Sequence, residues 1–172
     1  PRRARVGRAP LRVCEATGER AYRGELSVVN RSGTQMTINH LPTESYLRGV
    51  VPRESPAGWG SLGGGRGMQA LMAQAVAARG YALASTRSTG AHTCDTTACQ
   101  VYLGAGFKTS TMTAPEQPAL DSAISATAGL VRLKNSSLIR TELSSSTGGR
   151  TAGGDFSAGE DLGDSITGNR NT

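Results

Sequence analysis

Glu54 lies in a frame suited to proton transfer, Val50-Val-Pro-Arg-Glu-Ser-Pro56. Proline interrupts a helix and biases the residue before it away from helical geometry. Pro52 and Pro56 therefore predict a carboxyl group held in a constrained turn at a helix end, beside the apolar Val50, Val51 and Trp59. Apolar surroundings disfavour the ionised form and raise a carboxyl pKa, as a general acid near neutral pH requires. An ordinary surface glutamate is the competing reading. Arg79 is the second anomaly, expected on the inner face of a buried helix. A guanidinium placed there needs a carboxylate, a carbonyl cluster or a ligand. Two roles follow from that, a structural ion pair in the core or a place near the substrate. Glu44, ten residues before Glu54, falls in a helical first turn, where a carboxylate stabilises the helix end.

Two further groups could carry chemistry. Ser144-Ser-Ser-Thr-Gly-Gly149 is rich in hydroxyls and flexible backbone. Such a loop suits hydrogen bonds to sugar hydroxyls or serves as a plain turn, and it lacks the Lys and spacing of a phosphate loop. His92, Cys94 and Cys99 fall within eight residues and admit a zinc site, a small Cys94–Cys99 disulfide loop or free thiols. The disulfide is the favoured reading. Neither His92 nor His40, the two histidines of the chain, sits in a recognisable serine-nucleophile triad.

The elements that must position these groups read as strands, then helices, then strands again. Glu25–Val29 and Met36–Asn39 read as strands around the turn Asn30-Arg-Ser-Gly33. Pro42 opens a helix to about Val51, with Tyr46, Leu47 and Val50 facing inward. A Gly-rich stretch holding Trp59 leads into a buried helix over Met68–Ala84. On it Met72, Val76 and Leu83, together with Arg79, form one stripe. Ala70, Ala73, Ala77, Gly80 and Ala84 form a small-residue stripe that predicts close approach of another backbone. Gln100–Leu103 reads as a strand, Pro118–Ala128 as a helix stopped by Gly129, and Leu130–Leu133, Ser137–Arg140 and Glu142–Ser145 as strands. The class is α+β, with short, mostly antiparallel strands.

Length and composition bound the rest. The 172 residues make one domain by length. Residues 1–11 are an Arg/Pro/Gly-rich tail or linker, and 12–172 the domain proper. The net charge of +6 is concentrated: five of the 19 basic residues precede residue 13, leaving 14 against 13 acidic. A basic tail on a near-neutral body reads as a solvated linker or an electrostatic anchor to an anionic surface. No zinc-finger spacing, helix-turn-helix or stacked-aromatic motif supports nucleic acid as partner. No run of 18 or more apolar residues predicts a membrane span. The chain opens on Pro1 with no apolar signal core, as an excerpt of a longer precursor would.

Several motifs in order carry a resemblance: Leu41-Pro-Thr-Glu-Ser-Tyr-Leu-Arg-Gly-Val-Val-Pro-Arg-Glu-Ser-Pro56, Ala70-Leu-Met-Ala-Gln-Ala-Val-Ala-Ala-Arg-Gly-Tyr-Ala82, Cys94-Asp-Thr-Thr-Ala-Cys-Gln-Val-Tyr-Leu-Gly104, Ala126-Thr-Ala-Gly129 and Ser144-Ser-Ser-Thr-Gly-Gly-Arg-Thr151. With these the chain resembles the stage II sporulation protein D and amidase-enhancer family of cell-wall proteins over roughly residues 25–155. The resemblance implies a peptidoglycan lytic transglycosylase with Glu54 as its general acid and base, acting on glycan strands, above all those stripped of stem peptides by an amidase. It implies that Arg79, Tyr81, Gln100, Tyr102 and the loop of Ser145, Ser146, Thr147, Gly148 and Gly149 line the groove, with Glu54 partly shielded at its floor. One carboxyl group suffices for such chemistry, which agrees with the lack of a second catalytic carboxylate of the kind that hydrolytic glycosidases use. The implied setting is extracytoplasmic, secreted or envelope-associated, with a cell-wall amidase as candidate partner. No cofactor is expected; some relatives hold zinc with paired Cys and His, and beside His92, Cys94 and Cys99 no fourth ligand is evident. The chain departs from the family at Gly80, where Thr is common, in the loose Gly60–Gly67 region, and at a C-terminus that stops short of many relatives. The alternative function is a non-catalytic glycan-binding enhancer of an amidase; a structural wall-anchored module is a third.

Overall fold

A computed structural model describes residues 2–5, 9–16, 18–87, 90–108, 112–113, 117–144, 146–154 and 157–161. The chain is α+β and forms two compact units, Pro1–Thr141 and Glu142–Thr172. All the helices and strands described lie in the first. Its strands are β1 (Arg2–Arg5), β2 (Leu11–Glu15), β3 (Gly18–Tyr22), β4 (Glu25–Arg31), β5 (Thr34–His40), β6 (Gly106–Lys108), β7 (Met112–Thr113), β8 (Leu133–Lys134) and β9 (Ser137–Leu138). Its helices are α1 (Thr43–Glu54), a 3-10 turn (Ala57–Ser61), α2 (Met68–Ala84) and α3 (Pro118–Ala126).

The strands form small antiparallel sheets of order β1-β4-β5, β2-β3-β6-β7 and β8-β9. β4 and β5 are joined through Ser32-Gly33, both at positive φ (51 and 83), the geometry that matches strand twist in a two-residue hairpin. The expected four-residue turn is thus tighter, and both strands are longer than read. Within residues 1–11, Arg2–Arg5 pairs with Glu25–Val28, and Leu11 begins β2. A ladder uses only backbone groups, so a charged sequence can occupy a sheet edge.

Beside the sheets, α1, α2 and α3 bury Leu47, Val50, Val51, Leu71, Leu120 and Ile124 in one core, joined by Tyr46 and Tyr102. The bounds of α2 agree with the sequence reading, but its buried stripe is Leu71, Ala75, Ala78 and Ala82, with Leu83 exposed and Met72 only partly buried. The small-residue face does meet a backbone. A methyl on Gly80 would stand 3.3 Å from the Ile139 carbonyl, and the Thr141 hydroxyl donates to the Ala77 carbonyl. Three strand expectations fail. Gln100–Leu103 is irregular and packs into the core, Leu130–Val131 lies outside β8, and Glu142–Ser144 has no strand structure. Asn135 and Ser136, both at positive φ, form the turn between β8 and β9, which have two residues each.

Candidate active site

α1 carries two carboxylates with opposite fates. Glu44, in its first turn, meets Arg79 of α2 at two points: Nε donates to Oε1 at 3.0 Å and Nη2 to Oε2 at 2.7 Å. Arg79 is 1% exposed and also donates to the carbonyls of Leu130 at 2.9 Å and Ile124 at 3.5 Å. Burial alone would raise the Glu44 pKa. The Arg79 hydrogen bonds, the Gly129 N–H at 3.3 Å and the charges of Arg79 and Arg48 outweigh it and hold the group below its usual value. Glu44 is therefore a fixed anion, and more than the helix-end carboxylate expected from its position. Arg79 thus makes the structural ion pair, the first of the two roles its sequence position allows.

Glu54 differs. It is the last residue of α1, exposed, and makes no hydrogen bond or ion pair among the described residues. Pro52 lies inside the helix instead of ending it. Its ring removes only the bond to the Arg48 carbonyl, and the next turn closes through Ser55 N–H to the Val51 carbonyl at 3.0 Å. The expected shielding is thus corrected: the turn holds the carboxylate at the surface because Ser55, and not Glu54, turns inward to be buried. Trp59 follows in the 3-10 turn, 46% exposed, with Leu62 at 60% close behind it in sequence. The backbone of Gly67 closes tightly on this turn: a methyl there would overlap the Trp59 carbonyl.

Behind α1 stands a layer of tyrosines. Tyr46 stacks on Tyr102 with centroids 5.2 Å apart. The Tyr46 hydroxyl donates to Gln100 Oε1 at 3.3 Å, and that of Tyr102 to Asn39 Oδ1 at 2.9 Å. Burial pushes the Tyr46 phenol up to about 12. Burial raises Tyr102 as well. Gly49 makes the packing feasible, because a methyl there would come 2.5 Å from the Tyr102 ring. Gln100, 2% exposed, and Tyr102, 5% exposed, are both buried. Tyr81 is partly exposed; its ring carries Arg140 at 4.5 Å, and its hydroxyl accepts from Arg140 Nη2 at 3.0 Å.

The remaining expected groups fall elsewhere. Cys94 and Cys99 are joined as a disulfide, their Cα atoms 5.5 Å apart, and Cys14 is free and exposed. His92 Nδ1 sits 3.2 Å from the Ser85 carbonyl, and among the described residues no three His, Cys, Asp or Glu side chains gather to hold a metal. Ser146, Thr147, Gly148 and Gly149 belong to the second unit; there the Thr147 hydroxyl donates to Asp161 Oδ2 at 3.2 Å, and the backbones of Arg150 and Glu160 pair in an isolated antiparallel β-bridge. Ser145 lies outside the described residues. No described helix is long and apolar enough to cross a membrane.

The fold and site define an α+β domain that presents one accessible carboxylate at the end of a braced helix. Residues 31–133 match the family described as Stage II sporulation protein, SpoIID, and the chain belongs to that family. It is 42% identical over 105 residues to the Amidase enhancer of Bacillus subtilis (strain 168), covering 61% of this chain and 12% of that protein. It is 40% identical over 62 residues to an uncharacterized protein of Brachyspira hyodysenteriae (strain ATCC 49526 / WA1), covering 36% of this chain and 15% of that one. The chain thus spans less than a sixth of the length of either relative. No solved structure matches.

Proposed function

We propose that this domain is a lytic transglycosylase of peptidoglycan glycan strands, acting outside the cytoplasm, with Glu54 as its acid and base. One observation carries the reading: of the two carboxylates on α1, Glu44 is held as an anion by Arg79, whereas Glu54 is exposed and makes no hydrogen bond or ion pair among the described residues. A general acid must give its proton to a substrate atom, and a carboxyl tied to a guanidinium cannot.

The step needs one carboxyl group. Glu54 protonates the glycosidic oxygen between N-acetylmuramic acid and N-acetylglucosamine, and the bond from that oxygen to C1 of the muramic residue breaks. The resulting carboxylate then takes the proton of the same sugar's 6-hydroxyl as O6 bonds to C1. The product is a 1,6-anhydro end, and the proton returns to Glu54. Exposure in the free protein means that shielding has to come from the substrate: a glycan strand laid on Trp59 excludes water and disfavours the ionised carboxylate.

The test is digestion of purified wall glycan, intact and denuded, with mass spectrometry of the products. Wild type yields anhydro-sugars and Glu54→Gln yields none; absence of anhydro products from wild type on every wall overturns the reading. In that case the name of the Bacillus subtilis relative, Amidase enhancer, favours the second reading: a glycan-holding domain that raises the rate of a separate amidase, measurable by adding the two proteins together.

A further inference from the structure

The two sulfurs of the Cys94–Cys99 bridge have different neighbours. Arg87 Nη1 lies 3.1 Å from the Cys99 sulfur, whereas Cys94 Sγ has the neutral Thr96 hydroxyl at 3.6 Å. The backbone of Arg87 is fixed on both sides. Its N–H donates to the Ala91 carbonyl at 3.1 Å, and its carbonyl accepts from the Gly90 N–H at 2.9 Å. A cavity of about 780 Å³ is bordered by Arg87, Thr93, Cys94 and Asp95, but not by Cys99. Residues 95–98, the loop between the two cysteines, are exposed.

This asymmetry gives the bridge a direction in thiol exchange. A nearby cation stabilises a thiolate, and the sulfur that forms the more stable thiolate leaves more readily. Arg87 therefore makes Cys99 the leaving group and Cys94 the sulfur attacked. Cys94 is also the cysteine that borders the cavity.

The bridge ends where the bracing of α1 begins. Gln100 follows Cys99 directly and accepts from the Tyr46 hydroxyl, and Tyr102 stacks on Tyr46. The chain there is folded back on the loop. The Tyr102 N–H donates to the Asp95 carbonyl at 3.5 Å. Arg20 Nη1 reaches both Asp95 Oδ2 at 3.0 Å and the Tyr102 carbonyl at 3.2 Å. Opening the bridge leaves residues 95–102 to noncovalent ties.

We propose that Cys94–Cys99 is a redox-active disulfide, an exchange site for a dithiol reductant, and that its reduction loosens the brace on α1. One thiolate of the dithiol attacks Cys94 Sγ. The new S–S bond forms as the Cys94–Cys99 bond breaks, and Cys99 departs as a thiolate beside Arg87. The second thiolate of the reductant then attacks its own sulfur in the mixed disulfide and frees Cys94 as a thiolate. Two electrons pass to the cysteine pair, the reductant leaves as a disulfide, and its two protons are released to water or taken up by the cysteines. Any consequence for cleavage rests on the reading of Glu54 given above; the exchange at Cys94 does not.

The test uses the 172-residue chain carrying Cys14→Ser, so that the bridged pair supplies the remaining sulfurs. Reduction by dithiothreitol is timed by quenched alkylation and intact mass. Arg87→Gln, an exposed change, is expected to slow it roughly fivefold or more, and Arg87→Lys to recover most of the rate. Brief treatment with glutathione, quenched by acid and followed by peptide mapping, is expected to place the adduct on Cys94. This readout needs no Arg87 variant. Amide exchange in dithiothreitol is expected to quicken at Tyr46, Gln100 and Tyr102 relative to the oxidised protein. Equal reduction rates for Arg87→Gln and wild type, glutathione on Cys99, or unchanged exchange at all three residues would overturn the proposal.

Discussion

Arg79 reaches from α2 to Glu44 at the start of α1, and the two close a two-point contact with a shorter arm of 2.7 Å. The same guanidinium holds the carbonyls of Ile124 and Leu130, so one cation ties both long helices to the end of α3 and the chain beyond it. Loss of one partner leaves a buried charge unmet. Glu44→Gln is expected to destabilise the protein by about 2–3 kcal/mol, the low side for a buried pair because the Glu44 side chain is 38% exposed. Urea denaturation measures this.

The same contact sets a pH dependence. The Glu44 pKa is depressed in the folded state, so its stabilisation is fully present above the ordinary carboxylate range near pH 4. It is lost as pH falls through the folded value. Melting temperature followed from about pH 6 to 3 should drop less steeply in Glu44→Gln than in wild type. Parallel curves would refute the assignment.

Gly49 predicts a steric cost. A methyl there meets the Tyr102 ring at 2.5 Å and the Gly104 carbonyl at 2.7 Å. Gly49→Ala is expected to lose about 1–3 kcal/mol, as overpacked cores do, and to weaken Glu54-dependent cleavage by loosening α1. Paired denaturation and product assays check both effects.

Trp59 predicts the reverse pattern. With its ring 46% exposed, Trp59→Ala should change stability by no more than about 0.5 kcal/mol, as surface substitutions do. If the ring carries sugar, glycan affinity falls roughly 3–10-fold, the worth of one aromatic contact. Unchanged glycan affinity would remove Trp59 from the site.

The cysteine pairing is checked by alkylation without reductant and intact-mass measurement. Only Cys14 should react, adding one label, and prior reduction should raise this to three. Closing so short a loop stabilises by about 2 kcal/mol on the chain-entropy view, so Cys94→Ser lowers the melting temperature modestly.

Much of this was legible in the sequence where the signal is local. The bounds of α2 and the existence of the β4–β5 hairpin, though not its exact turn, followed from period and turn residues. Arg79 announced that it needed a partner, yet the sequence did not point to Glu44, because a contact across 35 residues is made by packing, not by spacing. The buried stripe of α2 was misjudged by one position: in a helix so rich in alanine, several faces are almost equally apolar, and the neighbours choose. Gln100–Leu103 has a strand-like pattern but serves to place Gln100 and Tyr102 against Tyr46. The exposure of Glu54 was illegible for a related reason. Adjacent apolar residues shield a carboxylate only if they fold back over it, and Trp59 and Leu62 face outward instead.

A helix that gives up its own side chain at Gly49 to admit a tyrosine ring cannot roll. Any rotation of α1 about its axis would drive Arg48 or Val50 into Tyr102, so the azimuth of the whole rod is keyed at that point. Glu54 rides five residues further along the same rod. The compass bearing of the acid is therefore set from inside the protein, by a missing methyl, and leaves the outer surface free to diversify without re-aiming it.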